Sequence, residues 1–429
     1  AHAQKDSKVW MELEHGMQPY AGEHIAGVKA TSLKGKVMCG YQGWFAAPGD
    51  GSGRGWVHYG AGKEFKPGKC TIDLWPDLRV LGESEKYFTT FRNQDGSMAS
   101  VFSSYHPDTV NRHFKWMADH DIHGVFLQRF ASSLRHSNAS YRHRNVVTSN
   151  VQAGANQHGR VWAMMYDLSG LKAGEIESVL IPDWKRLIDG MKITQDKAYL
   201  HHKGKPLVAV WGVGFGDGRD YTLDESEKLI RFLKEDPKYG GNTVMLGVPS
   251  FWRELKRDSV RDKRLHAIIT QADIISPWTV GRYQTPEQAK RHAETVIKPD
   301  IAWCKERGIE FLPVMFPGFS WQNLKKSKGE EAPLNQIPRL KGQFLWSQAV
   351  AAKQAGAEMA YVAMFDEVDE GTAIFKCTND PPIGQNKFLT YDGLPSDHYL
   401  WLTGEIGKMV RAPHSPAAKM PKRGQPVRP

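Results

Sequence analysis

Short, almost wholly apolar runs alternate along most of the chain with longer stretches that are apolar on one side only. The runs fall at 37–45, 124–130, 161–168, 206–213, 243–248, 274–280, 311–316 and 361–365. Each is too short for a helix of useful length. Each is too continuously apolar for a strand with one face in water, so a strand buried on both faces is predicted. The stretches between them read as helices. Residues 106–121 place Val110, Phe114 and Met117 at helical spacing behind Pro107. Residues 181–195 begin with Pro182 and Asp183, and 285–307 begin Thr285-Pro286-Glu287 and stop at Gly308, both recognisable helix boundaries. Residues 342–356 form the last helix before the final strand and are bracketed by glycine. Eight strand–helix units predict an α/β fold, a single (β/α)8 barrel of the TIM type. A doubly wound open sheet is the competing architecture, but no Gly-x-Gly-x-x-Gly turn follows the first strand.

The first two strands are separated by residues 46–105, a long insertion that contains Gly49-Asp50-Gly51-Ser52-Gly53. Long loops in compact domains are usually functional. Placed after strand one, this insertion belongs on the catalytic face. The expected organisation is an N-terminal extension over 1–30, a catalytic barrel over 31–410 and a tail over 411–429.

Composition adds little to this picture except in two places. With 40% hydrophobic and 24% charged residues the chain has ordinary globular composition, but its 14 tryptophans are many, and tryptophan serves sugar clefts as a flat platform as well as cores. The formal charge is +10, and half of it comes from Arg411, Lys419, Lys422, Arg423 and Arg428 in a tail with no acid and no apolar period. That tail reads as disordered. No basic stripe marks a nucleic-acid surface, and no apolar run has the length of a membrane span. The opening Ala1-His2-Ala3-Gln4 resembles the remnant of a signal cleavage site, so a secreted or periplasmic protein is expected, acting as a monomer.

Chemistry concentrates at Asp366, Glu367, Asp369 and Glu370, directly after the last predicted strand. Crowded carboxyl groups raise one another's pKa, and sugar hydrolysis needs one carboxyl protonated and a second ionised. A solvated acidic turn and a cation site are the bland alternatives. Position favours catalysis over them, because catalytic residues of such barrels stand at the carboxyl ends of strands. Other strand ends offer substrate contacts: Tyr41 and Trp44, Gln128 and Arg129, Tyr166 and Asp167, then Trp211, Trp278 and Trp321. Arg129 reads either as an ion-pair partner within the barrel or as the holder of an anionic sugar substituent. His58 stands beside Trp56 and Tyr59 in the insertion, where it reads as an exposed loop residue or a hydroxyl contact. His58, His106, His201 and His202 show no zinc-type spacing, and no Gly-x-Ser-x-Gly elbow appears. Neither metal nor cofactor is called for.

The stretch 361–374, YVAMFDEVDEGTAI, together with Gly40-Tyr41-Gln42-Gly43-Trp44-Phe45, resembles glycoside hydrolase families 99 and 71, the endo-α-mannosidases and α-1,3-glucanases. The resemblance implies a retaining, endo-acting hydrolase of α-linked glycan. It makes Glu367 a base that helps the substrate's own 2-hydroxyl attack the anomeric carbon, giving a 1,2-anhydro sugar. Glu370 becomes the general acid and then the base for water. Phe365-Asp366 stands where the family has Trp-Asn, and Gln42-Gly43-Trp44 where a Tyr-rich stretch is usual, so the resemblance speaks for the reaction more than for the sugar. A hydrolase of a different, anionic α-glycoside and a non-catalytic carbohydrate-binding barrel remain the alternatives. Topology adds one more expectation. Among Cys39, Cys70, Cys304 and Cys377, only Cys70 in the insertion and Cys377 after strand eight are placed to meet, as a disulfide or as free thiols.

Overall fold

A computed structural model describes residues 17–135 and 139–424. The barrel strands are β1 (Val37–Tyr41), β2 (Gly124–Phe130), β3 (Val161–Asp167), β4 (Lys205–Trp211), β5 (Thr243–Pro249), β6 (Ile274–Trp278), β7 in two pieces (Glu310–Phe311 and Val314–Met315) and β8 (Ala360–Val362). All their mutual pairings are parallel. β1 lies between β8 and β2, with Val37 opposite Ala360 and Met38 opposite Gly124. The ring closes across β7. Its first piece pairs with β6 and its second with β8, and the Leu312 N–H donates to Ile275 O (2.9 Å) while Pro313 O accepts from the Tyr361 N–H (3.0 Å). The protein is thus an α/β barrel, as the eight apolar runs predict.

Two departures of the strands from their apolar runs have local reasons. β1 stops at Tyr41 because the next amides, Gln42 and Gly43, turn to the Asp366 carboxylate (2.8 and 2.9 Å), and Gly43 has a positive φ of 57°. β7 is interrupted at Leu312-Pro313, where proline has no N–H for the ladder.

The helices follow their sequence signals. Helix α1 (Pro107–Asp119) is capped by His106, whose Nδ1 accepts from the Asp108 N–H. Helix α2 (Ala139–Gln157) follows β2, and helix α3 (Ile181–Arg186) continues through Leu187–Met191 after β3. Thr285 caps Pro286–His292, which runs on to Glu306, and Gly342 starts Gln343–Gln354.

The insertion has a core of its own. It contains an antiparallel hairpin, Tyr87–Arg92 with Met98–Val101, and a cluster of Tyr59, Phe65, Trp75, Phe91 and Phe102 rings. It is fastened to the segment after β8: the Asp73 N–H donates to Val368 O (3.0 Å), and Thr378 N–H to Trp75 O (2.9 Å). The expected meeting of these two segments therefore occurs, but without a disulfide. All four cysteines are free and buried, and the residue bridged to Cys377 is Pro76, not Cys70.

The tail also differs from expectation. Arg411 ends the last helix, His398–Arg411, and the following chain is held down: Trp346 donates to Ala417 O (3.1 Å), and Arg423 grips both Asp397 oxygens (2.6 and 2.8 Å). These are isolated side-chain anchors, which leave no periodic trace in a sequence. Residues 425–429 and Ala1-His2-Ala3-Gln4 lie outside the described residues.

Candidate active site

The segment after β8 carries the acids into the mouth of the barrel. Asp366 is wholly buried and accepts the Gln42 and Gly43 amides, so it locks the end of β1 to the end of β8. Burial raises its carboxyl to about 7. Glu367 follows and is only 3% exposed. Its Oε2 accepts from Gln42 Nε2 at 2.5 Å. Glu370 is half-buried and stands close enough to Glu367 for the two carboxyls to act on each other's ionisation. Burial raises both pKa values, and for Glu367 the negative charges of Glu370 and Asp369 raise it further. Lys325 and Lys328 act in the opposite direction on Glu370.

Backbone geometry holds this pair still. The Ser320 N–H donates to Glu370 O (3.0 Å), and Gly371 at φ 65° packs so closely that a Cβ there would lie 2.7 Å from Ser320 N. Asp73 of the insertion accepts from Ser320 Oγ (2.5 Å) and from the amides of Gln322 and Asn323 (2.7 and 2.9 Å). The long insertion therefore positions the loop after β7 against the acids.

Strand alternation sorts the other expected contacts, because neighbouring residues point to opposite faces. Gln128 faces inward and donates to Tyr361 OH (3.1 Å), so Arg129 faces the helices. There it is 1% exposed and makes a two-pronged ion pair with Asp183 of α3 (2.7 and 2.8 Å). Asp167 ends β3 as the register partner of Trp211, while Tyr166 turns outward and donates to Asp183 (2.6 Å). Tyr41 likewise turns outward, to His113 of α1 (2.7 Å). Tyr41, Arg129 and Tyr166 are thus core residues and not substrate contacts. Asp366 is corrected too, since its oxygens are spent on backbone. Trp44 is 9% exposed, with one face stacked on His58 (3.8 Å, 4°) and Phe130 at 5.3 Å, so it offers no open platform. Glu367 is enclosed by Gln42 and its acidic neighbours.

The remaining residues do gather at the mouth. His58 Nδ1 donates to Asp369 (3.0 Å) and keeps about a third of its side chain exposed (34%). Trp211 and Trp278 meet edge-on at 5.6 Å, half-buried, with Trp211 lying over Gly247, where a Cβ would come within 2.3 Å of the ring. Trp321 donates to Gln336 (2.8 Å) and carries Lys325 over its ring at 4.3 Å. Beyond Trp211, the loop after β4 encloses a cavity of 310 Å³ walled by Phe215, Arg219 and Tyr221. Gln42 Oε1 and Asp369 Oδ1 are buried acceptors without a partner among the described residues, a match for hydroxyl donors. Tyr361 and Arg144 border the site without having been singled out in the sequence, whereas Asp369 stood in the acidic cluster and Gln42 in the first motif, neither with a stated role.

Known structures share this architecture. The GH99 endo-alpha-mannosidase from Bacteroides thetaiotaomicron superposes with a TM-score of 0.59 at 15% identity, covering 89% of this chain and 98% of the other. A protein described as a glycoside hydrolase-like protein superposes with a TM-score of 0.53 at 11% identity, over 92% of this chain and 98% of its own. At such identities the likeness is one of fold. No protein-family description and no curated protein matches the sequence.

Proposed function

We propose that the protein is a glycoside hydrolase of α-linked glycan, endo-acting and retaining, with Glu367 and Glu370 as its reacting pair. The observation that carries this reading is the pair of crowded, mutually interacting carboxyl groups after β8, both raised in pKa. The likeness in fold to an endo-alpha-mannosidase supports it. An inverting hydrolase keeps its carboxyl groups roughly 6.5–9.5 Å apart to seat a water between them. Glu367 and Glu370 stand on one turn and act directly on each other's ionisation, a closeness that favours a nucleophile supplied by the substrate.

In the mechanism that fits, Glu367 as carboxylate takes the proton of the sugar's 2-hydroxyl while that oxygen attacks the anomeric carbon. The bond to the leaving oxygen breaks, and Glu370 delivers its proton there. Water, deprotonated by Glu370, then opens the 1,2-anhydro ring at the anomeric carbon, and the 2-oxygen recovers a proton from Glu367. Two inversions give net retention. This division of labour needs Glu370 protonated and Glu367 ionised once sugar is bound. The Gln42 donor on Glu367 favours that placement, whereas the deeper burial of Glu367 favours the reverse in the empty cleft. Trp211 with Trp278, and Trp321, stand at the ends of different strands and would supply platforms at more than one point, which suits internal cleavage.

The test is a panel of α-mannans, α-glucans and charged α-polysaccharides, with product anomers followed by proton NMR. Cleavage giving the α-anomer first is expected, and a 2-deoxy substrate should be inert. The β-anomer as first product would overturn the mechanism. Binding with no cleavage of any polymer would point to a carbohydrate-binding barrel.

A further inference from the structure

Arg144 is buried beside the acids with no counter-charge. It stands on α2, 6% exposed, and among the described residues no carboxylate lies within ion-pair distance of it. Its one side-chain hydrogen bond among the described residues runs from Nη1 to Gln42 O (3.2 Å), and Gln42 in turn holds Glu367. Its guanidinium lies 5.1 Å from the Phe130 ring centre, which packs on Trp44. The nearest charges make matters worse. Arg54 and Arg129 both repel it, and burial with that repulsion lowers its pKa to about 9. The two acids that oppose this, Asp167 and Asp366, are engaged elsewhere, Asp167 by the Ser169 amide (2.8 Å) and Asp366 by Gln42 and Gly43.

Three donors in this corner also lack partners among the described residues: Arg144 Nε, Arg54 Nη1 and Trp44 Nε1. Burying a charge unpaired is costly, and proteins avoid it where nothing is gained. A few residues away, Arg129 shows how the same fold treats an arginine that is only structural: it supplies Asp183. A guanidinium presents a planar fork suited to carboxylate or sulfate oxygens.

Given a glycan substrate, as proposed above, we infer that it carries an oxyanion substituent, a carboxylate or a sulfate ester, near the sugar cleaved at Glu367, and that Arg144 is its counter-charge. The substituent would complete the charge balance that the protein leaves open, and would take up donors at Arg144 and Trp44.

The experiment pairs uronate-bearing and sulfated α-linked polysaccharides with their carboxyl-reduced and desulfated counterparts. Turnover is measured with the wild-type protein and with Arg144→Met and Arg144→Lys, and binding is measured with Glu367→Gln alone and combined with Arg144→Met. The expected result is a kcat/KM at least roughly tenfold higher on one anionic polymer than on its neutral counterpart. Arg144→Met should erase that preference mainly through KM, and Arg144→Lys should restore part of it. The uronate and sulfate arms tell the two substituents apart. Equal turnover of charged and neutral polymers, or a preference that survives in Arg144→Met, would overturn the anion subsite while leaving the hydrolase reading intact. Selective anion binding that depends on Arg144, with no turnover anywhere, would support the subsite and overturn the hydrolase reading. Neither selective binding nor turnover would overturn both.

Discussion

Two buried arginines, Arg129 and Arg144, sit on successive elements of one βα unit and live in opposite electrostatic worlds. Behind β2 and β3, Arg129 is matched by Asp183, and Asn145, Thr148 and Tyr166 complete a network around the pair, so its charge is held more firmly than in water. At the barrel mouth, Arg144 has a single backbone acceptor, and the acids around it are crowded, shielded and partly protonated. In the first region the charge is matched by partners that the protein itself supplies. The second has unspent donors, unspent acceptors and displaced pKa values, and a ligand is what would balance it. Local dissatisfaction of this kind separates a site from a core better than residue type does.

The largest effect that would sharpen this contrast is catalytic. Glu367→Gln and Glu370→Gln are each expected to lower kcat by roughly 10²–10⁴-fold, the range for removing a positioned acid or base. Their melting temperatures should hold or rise, because each change removes a crowded buried charge. A variant that keeps near-normal turnover would lose its assigned role.

Stability should show the reverse pattern. Asp183→Ala strands Arg129 without its partner in the interior and is expected to cost about 3–5 kcal/mol in denaturant unfolding. Arg144→Met, which removes a charge that has no partner to strand, should cost far less or add stability. Equal losses from the two substitutions would break the comparison.

A smaller effect concerns pH. The Asp366 carboxyl rises from 3.8 to about 7 on folding, so the folded protein holds a proton that the unfolded chain releases. That contribution to stability is complete below 3.8 and is lost as pH climbs through about 7. Unfolding free energies of wild type and Asp366→Asn, taken at about pH 5 and about pH 8, should therefore shift in favour of the variant at the higher value. A gap that does not move with pH would mean that Asp366 is ionised throughout. Least of all should reducing agent matter: thiol titration of the denatured, unreduced protein is expected to find four free cysteines, with no change in melting on adding reductant.

Much of this molecule was legible in the chain. The eight apolar runs mark the barrel strands to within a few residues, and Pro107, Pro182, Pro286 and the glycines at 308, 342 and 356 mark helix ends. Glu367 and Glu370 stood out by crowding at the end of a strand. Contacts at the other strand ends were less legible. Gln128 with Arg129, and Tyr166 with Asp167, are adjacent pairs of which one member only can face the barrel interior, and nothing in a pair of residues says which.

The sequence alone thus determined the periodic features: which segments are strands, where helices begin and end, and where carboxyl groups collect. These depend on residues close together in the chain. Tertiary structure alone decided which side chains become partners. Asp183 matches Arg129 across 54 positions, and Asp366 reaches Gln42 across 324. Asp73 reaches the loop after β7 across 247, and Arg144 is left unmatched by the same packing. A charge's cost or use depends on what the folded chain places within a few ångströms of it, and that distance has no counterpart along the sequence.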